Sequence, residues 1–288
     1  MSLGLCGKAM ALERNLQRLI MIKYIIKFFI FLVILFIPKL SQCAFLQISP
    51  CAELAGLSNI SGLTNSPASC FYNPAVFRTD NFYFSSTYYQ PFSIPDLTYK
   101  NAMLAYGYKN ANMVLALQDL GNDIYKEQTA LVSVNYQIIK NLKFGVNGRL
   151  LHKSISIFQN KNAYQIDIGT LMQFDKFKIF TSFSNLTFSK LDNETLPQES
   201  RTGIVYNVHG NLSTAVSFVK ELDYPFSYHF AVSYKPFQIF QLNSGFQTEP
   251  NEIYGGMTVS YKFFNISYAV KNHQCLNLTH FFTIECKL

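Results

Sequence analysis

From Asn81 onward the chain repeats one pattern. Runs of about a dozen residues alternate apolar and polar, and Gly, Asn, Asp or Pro separates one run from the next. In 127–139, Ala130, Val132, Val134, Tyr136 and Ile138 share a parity against Ser133, Asn135 and Gln137. In 226–236, Tyr228, Phe230, Val232 and Tyr234 oppose Ser227, His229, Ser233 and Lys235. In 251–263, Ile253, Met257, Val259, Tyr261 and Phe263 oppose Tyr254, Thr258, Ser260 and Lys262. The last run, NLTHFFTIECKL, sets Leu278, Phe282, Ile284, Cys286 and Leu288 against Thr279, Thr283, Glu285 and Lys287; His280 and Phe281 break the rule. Successive side chains of a strand point to opposite faces, so each run is a strand with one greasy and one wet face.

These strands are too long for a soluble sandwich, whose strands average about five or six residues. A tilted membrane strand needs about 9–11. Fourteen are expected: 81–90, 98–109, 111–120, 127–139, 141–155, 162–174, 177–188, 199–209, 211–222, 226–236, 238–248, 251–263, 264–273 and 277–288. The count is even, as in bacterial single-chain barrels. The 277–288 strand should pair antiparallel with 81–90, closing the sheet and leaving no edge. Although 49% of residues are hydrophobic, no run after residue 44 is apolar long enough for a membrane helix, so the hydrophobicity is dispersed as alternating strands disperse it. The 27 Phe and 18 Tyr suit interfacial girdles. The expected fold class is all-β: a transmembrane antiparallel β-barrel of about 14 strands in a bacterial outer membrane, with lipid as its first partner.

Ahead of the barrel lie two further segments. Ile25–Ile37 is apolar except for Lys27, is preceded by Lys23, and is followed by small residues at Ser41, Cys43 and Ala44. That is a secretory signal, expected over 1–44 and cleaved, with Met21 serving as well as Met1 for its start. Leu40-Ser41-Gln42-Cys43 hints at a lipoprotein cut, against which bulky Gln42 speaks. Residues 45–80 are irregular and rich in small residues; Pro50, Pro67 and Pro74 forbid a central strand there. This stretch is expected to fold inward as a plug-like segment, with short helical turns around Cys51–Leu57.

Several function classes drop out. The net charge of +7 is mostly leader: six basic residues against Glu13 put +5 in residues 1–44. The near-neutral remainder carries no general field for nucleic acid. The five His residues show no metal-ligand spacing, and no G-x-S-x-G elbow or other nucleophile signature is present, so no enzyme, metal site or cofactor is expected. Cys51, Cys70, Cys275 and Cys286 permit three disulfide pairings or none, and spacing does not choose among them. The links are short, Lys140-Asn141 and Gly210-Asn211 being near-minimal and 91–97, 121–126 and 189–198 the longest. Function therefore falls to the lumen, the N-terminal segment or modest loops. Lumen-facing candidates by parity are Lys143, Arg149, Asp167, Arg201, Lys262, Glu285 and Lys287. Arg149 and Asp167 lie on neighbouring hairpin strands and are placed to pair. Ion pairs filling a narrow lumen account for these charges more simply than a ligand path.

Three stretches carry a resemblance. In SPASCFYNPAVF, residues Tyr72, Asn73, Pro74 and Ala75 match the aspartate-alanine, tyrosine, Asn-Pro-Ala-Gly-Leu signature near the N-terminus of FadL-like barrels and their PorV/PorQ relatives; Val76 stands for Gly and Phe77 for Leu. Leu196-Pro197 followed by Arg201-Thr202-Gly203 resembles the Leu-Pro, Arg-x-Gly strand entry. LNLTHFFT, from Leu276, resembles the closing Leu-Gly-x-Ser-His-x-x-Ser, with Asn277 in place of Gly. The resemblance spans nearly the whole chain after the leader. It implies a 14-stranded outer-membrane barrel without catalytic activity. On the PorV/PorQ branch that means a secretion or surface-assembly component whose partners are secretion-system proteins or secreted cargo. On the FadL branch it means a transporter of hydrophobic small molecules. A purely structural barrel is the third reading. Short links and the Ser, Asn, Thr and Lys of the wet parity favour the first, because a greasy ligand would find little apolar surface to bury against.

Overall fold

A computed structural model describes residues 45, 48–156, 160–191, 194–222 and 224–287. The leader expected over 1–44 and the terminal Leu288 lie outside the described residues.

Fourteen strands close into one antiparallel barrel. They are β1 Phe82–Tyr89, β2 Thr98–Tyr108, β3 Ala111–Gly121, β4 Tyr125–Ile139, β5 Leu142–Ile155, β6 Lys161–Gln173, β7 Phe177–Phe183, β10 Glu199–His209, β11 Leu212–Glu221, β12 Ser227–Phe237, β13 Phe240–Gln247, β14 Glu252–Tyr261, β15 Phe264–His273 and β16 Thr279–Lys287. Between β7 and β10 a two-residue pair, β8 Lys190–Leu191 with β9 Glu194–Thr195, forms a separate small sheet. The last strand closes on the first in the expected direction, with Tyr83 opposite Lys287 and Tyr89 opposite Phe281. Every strand edge in the ring is paired along at least part of its length, as hydrocarbon demands of backbone N–H and C=O groups.

The two ends differ. At the turn end, residues such as Lys109-Asn110 and Lys140-Asn141 join strands directly. At the loop end the links are longer, 90–97 and 184–198 being the extremes. In outer-membrane barrels the short turns face the periplasm. The outward face is greasy throughout: Leu115, Val132, Val134, Ile204, Val232 and Ile266 are all exposed. Near the turn end, exposed Tyr106, Tyr108, Tyr136, Tyr206, Tyr261 and Phe264 form an aromatic ring around the wall. A continuous apolar surface of this extent is a liability in water and a requirement in lipid.

The segment before β1 fills the lumen. Its α-helix among the described residues, α1 Ala52–Gly56, begins at Cys51, whose Sγ accepts the Leu54 N–H at 3.5 Å. The Ala52 N–H donates to Thr283 Oγ1 on β16 at 2.9 Å, so a wall side chain caps one of the helix's free donors. Leu54, Leu57, Ile60, Val76 and Phe77 are fully buried between plug and wall. Each such side chain contributes about 1.5–3 kcal/mol by leaving water. The described cysteines are free thiols, Cys51 and Cys70 being buried in this core.

Two expectations are corrected here. The strand expected over 177–188 stops at Phe183. Asn185 takes a left-handed backbone (φ 54°) and its Oδ1 accepts the Ser189 N–H at 3.0 Å, a local turn that competes with the ladder. The lumen is also greasier than its Ser, Asn, Thr and Lys suggest. Tyr83, Tyr89, Tyr99, Met103, Phe180 and Phe281 all point inward and are buried against the plug. Phe281, the odd residue of the closing strand, packs on Tyr89 at 4.3 Å between ring centroids, and Tyr89 packs on Tyr99 at 4.4 Å.

Candidate functional site

A densely connected polar group in the lumen is Asp167 on β6. Its Oδ2 accepts Arg149 Nε at 2.7 Å and Asn147 Nδ2 at 3.0 Å. Its Oδ1 accepts Gln165 Nε2 at 2.7 Å and the Asn185 backbone N–H at 3.0 Å. An ionised carboxylate has about four acceptor sites, and all are taken. The donors reach on to the plug: Arg149 donates to the Phe71 carbonyl at 2.6 Å and Asn147 to the Cys70 carbonyl at 2.8 Å. One carboxylate thus links β5, β6, the plug and the first turn of the 184–198 link. Burial pushes the Cys70 thiol up to about 12, against the pull of Arg149, so it stays a neutral space-filler.

The Tyr72-Asn73-Pro74-Ala75 motif is entirely buried. Asn73 Nδ2 donates to the Thr170 carbonyl at 3.2 Å on β6 and the Thr181 carbonyl at 3.1 Å on β7, while its Oδ1 accepts the Ala75 N–H at 2.9 Å. The close approach depends on missing side chains. A Cβ on Gly145 would lie 2.4 Å from the Pro74 carbonyl carbon, and one on Gly169 would lie 2.1 Å from Asn73 Oδ1. Tyr72 lies under the Arg201 guanidinium, 4.5 Å from ring centroid to Cζ. Burial raises the Tyr72 hydroxyl, which Arg201 opposes, so it remains neutral.

The other sequence candidates divide. Arg201 is buried and paired through two nitrogens with Glu199, at 2.9 and 3.1 Å, and donates to the Asn59 carbonyl of the plug at 3.1 Å. Glu285 is buried and accepts Ser66 Oγ at 3.3 Å and Asn265 Nδ2 at 3.0 Å. Lys143 is half-buried on the inward parity of β5. Lys262 is not in the lumen: it sits exposed in the turn after β14 with a left-handed backbone, where strand parity no longer applies. Lys287 is likewise exposed, at the last described position of β16. Sequence reasoning missed Asn147, Asn185 and Glu199. The first is set opposite Asp167 by strand register. For Asn185 a signal existed: outward apolar parity runs through Phe177, Ile179 and Phe183, then switches at Asn185 to Leu186 and Phe188.

That switch marks an interruption of the wall. The β6–β7 ladder runs only from Ile168 to Gln173, so 161–167 has no strand partner on that side. The 184–198 link covers it instead. The Leu186 N–H donates to the Ile166 carbonyl at 2.9 Å, and the Thr187 and Ser189 hydroxyls donate to the Tyr164 carbonyl. Directly behind this patch lies a cavity of about 40 Å³, whose lining includes Phe45, Ile48, Tyr99, Arg149, Gln165 and Pro197.

A closed membrane barrel with a packed N-terminal plug and a loop-patched wall is therefore the class of protein these residues build, and it is built for an outer membrane. No protein-family model and no curated protein matches the chain. Solved structures do. The toluene transporter TbuX of Ralstonia pickettii aligns with a TM-score of 0.59 at 11% identity, over 81% of this chain and 98% of that one. CymD, described as a monoaromatic hydrocarbon channel, aligns at 0.66 and 10%, over 85% and 99%. A FadL homologue of Pseudomonas aeruginosa aligns at 0.59 and 9%, over 84% and 99%. The likeness is one of fold: this chain and those proteins share the closed barrel architecture.

Proposed function

We propose that the chain is a non-enzymatic channel for small hydrophobic molecules, with its route through the wall between β6 and the 184–198 link. The observation that carries this reading is the incomplete ladder at 161–167, backed by a cavity and held shut by a few hydrogen bonds rather than a strand. A full strand pair would seal the wall with regular backbone bonds. A wall patched there by a link instead of a strand pair lets a greasy solute cross between lumen and lipid without meeting water. Phe45, Ile48, Phe71 and Tyr99 line that cavity and supply the apolar surface that such a solute needs. The fold neighbours described as hydrocarbon channels point the same way.

A second reading, a secretion or surface-assembly component resembling PorV and PorQ, is favoured by one feature. The loop end carries links as short as 122–124 and 248–251, which form no capture site of their own and leave that end open to a partner protein. Uptake separates the two. Intact two-membrane cells carrying the protein should take up toluene or a long-chain fatty acid faster than cells lacking it. Unchanged uptake of both, together with a secreted or barrel protein that co-purifies in mild detergent, would favour the second reading.

A further inference from the structure

Glu127 on β4 is a nearly buried carboxylate, 9% exposed, close to the loop end of its strand. Its Oε1 accepts the Tyr125 hydroxyl. Its Oε2 accepts the backbone nitrogen of Phe45 at 3.2 Å. Among the described residues no salt bridge includes it, although Arg149, Asp167, Arg201, Glu199 and Glu252 all have ion-pair partners. Lys153 is its cross-strand neighbour, but the Lys153 ammonium stands over the Tyr125 ring, 5.6 Å from the centroid. A buried carboxylate held by neutral donors alone is an expensive arrangement, and such charges are ordinarily paired.

We propose that Glu127 is the seat of the mature amino terminus: the leader is cut between Ala44 and Phe45, and the new α-ammonium of Phe45 pairs with this carboxylate. A signal peptidase would hydrolyse the Ala44–Phe45 bond. Water gives its hydroxyl to the Ala44 carbonyl carbon and a proton to the Phe45 nitrogen. At neutral pH the amine also takes up the proton that the new carboxylic acid releases. The nitrogen already at 3.2 Å from Glu127 then changes from a neutral amide to a cation, and the carboxylate gains the partner it lacks. The Phe45 side chain is seated as well, packed on Leu151, Ala163, Leu191 and Leu196. Ala44 is the small residue that a cut requires before it, although Gln42 departs from the small residue usual two positions earlier. A cut before Cys43 would leave Phe45 an ordinary amide and Glu127 without a cation.

The test uses the full chain expressed in a two-membrane bacterium and purified from its outer membranes. Intact mass and N-terminal sequencing should give a chain that starts at Phe45. A start at Ala44, a start at Cys43 with or without lipid, or a retained leader would each overturn the proposal. An amine-acylating reagent at neutral pH then reads the ion pair. The Phe45 α-amine of the folded protein should react about tenfold more slowly than in the unfolded chain, the effect of one unit of pKa. Glu127→Gln should abolish most of that protection while the Phe45 ring stays seated. Equal labelling of folded and unfolded wild type, or full protection in folded Glu127→Gln, would sink the ion pair. If the variant does not assemble, the folded-versus-unfolded comparison on the wild type decides.

Discussion

Asp167 accepts the backbone N–H of Asn185 at 3.0 Å, and so one carboxylate holds both the plug and the first turn of the loop that patches the wall. The plug cannot shift at Phe71 without disturbing Arg149, and Arg149 cannot move without disturbing the acceptor of Asn185. This coupling yields the first prediction. Asp167→Ala leaves Arg149 buried without its counter-ion, which costs about 3–5 kcal/mol. The folded band on unheated gels should be lost at a markedly lower temperature. Surviving barrels should admit hydrophobic dyes faster than wild type. Asp167→Asn should fall between, because it retains acceptor oxygen but not the charge.

The second prediction concerns the close approach of plug and wall. Gly145→Ala drives a methyl group into the Pro74 backbone, which is not the flexible end of a side chain, and should cost about 1–3 kcal/mol through overpacking. Gly148→Ala three residues on meets nothing within 4 Å and should be near neutral. Protease sensitivity of the segment before β1 is the readout. Equal sensitivity of the two variants would refute the packing argument.

Glu53, in the first turn of α1, supplies a pH dependence. Burial raises its carboxyl above the ordinary 4.5, and nearby Glu285 adds to the rise. The unfolded chain therefore releases this proton at lower pH than the folded one. Above about pH 4.5 the unfolded state binds fewer protons, so this group's stabilising contribution falls as pH rises toward its folded value. Glu53→Gln keeps an acceptor for the Gln241 amide and removes the charge. Its melting temperature in detergent should decline less steeply than that of wild type as pH rises above the ordinary carboxyl value of 4.5. Parallel declines would show that Glu53 is not the source.

The closing ladder gives the fourth prediction. Removal of 279–287 strips β16 from β1 and β15 together and leaves two unpaired edges in lipid. Assembly into membranes should be lost altogether. A truncated chain that still yields a heat-modifiable band would contradict the closure.

Alternation alone carried most of the architecture. Strand positions, the even count and the antiparallel closure follow from a period of two, and tilted membrane strands are long enough for that period to be read without ambiguity. Arg149 and Asp167 were legible as a pair because they share a hairpin and a parity. Lys262 was misplaced because parity continues in the text after a strand has ended in a turn, and β7 was overextended because a local Asn turn outcompetes the ladder.

Sequence by itself determined which residues face lipid, since that depends only on neighbours along the chain. It did not determine what faces the lumen contents. Phe281 looks like an error in the closing strand until Tyr89 and Tyr99 are brought against it from β1 and β2. Gly145 and Gly169 look like weak points in strands until Pro74 and Asn73 press on them. Asn185 and Phe45 gain their partners, Asp167 and Glu127, across 18 and 82 residues of chain. Such contacts are set by register and by closure of the ring, and only the folded barrel brings those groups together.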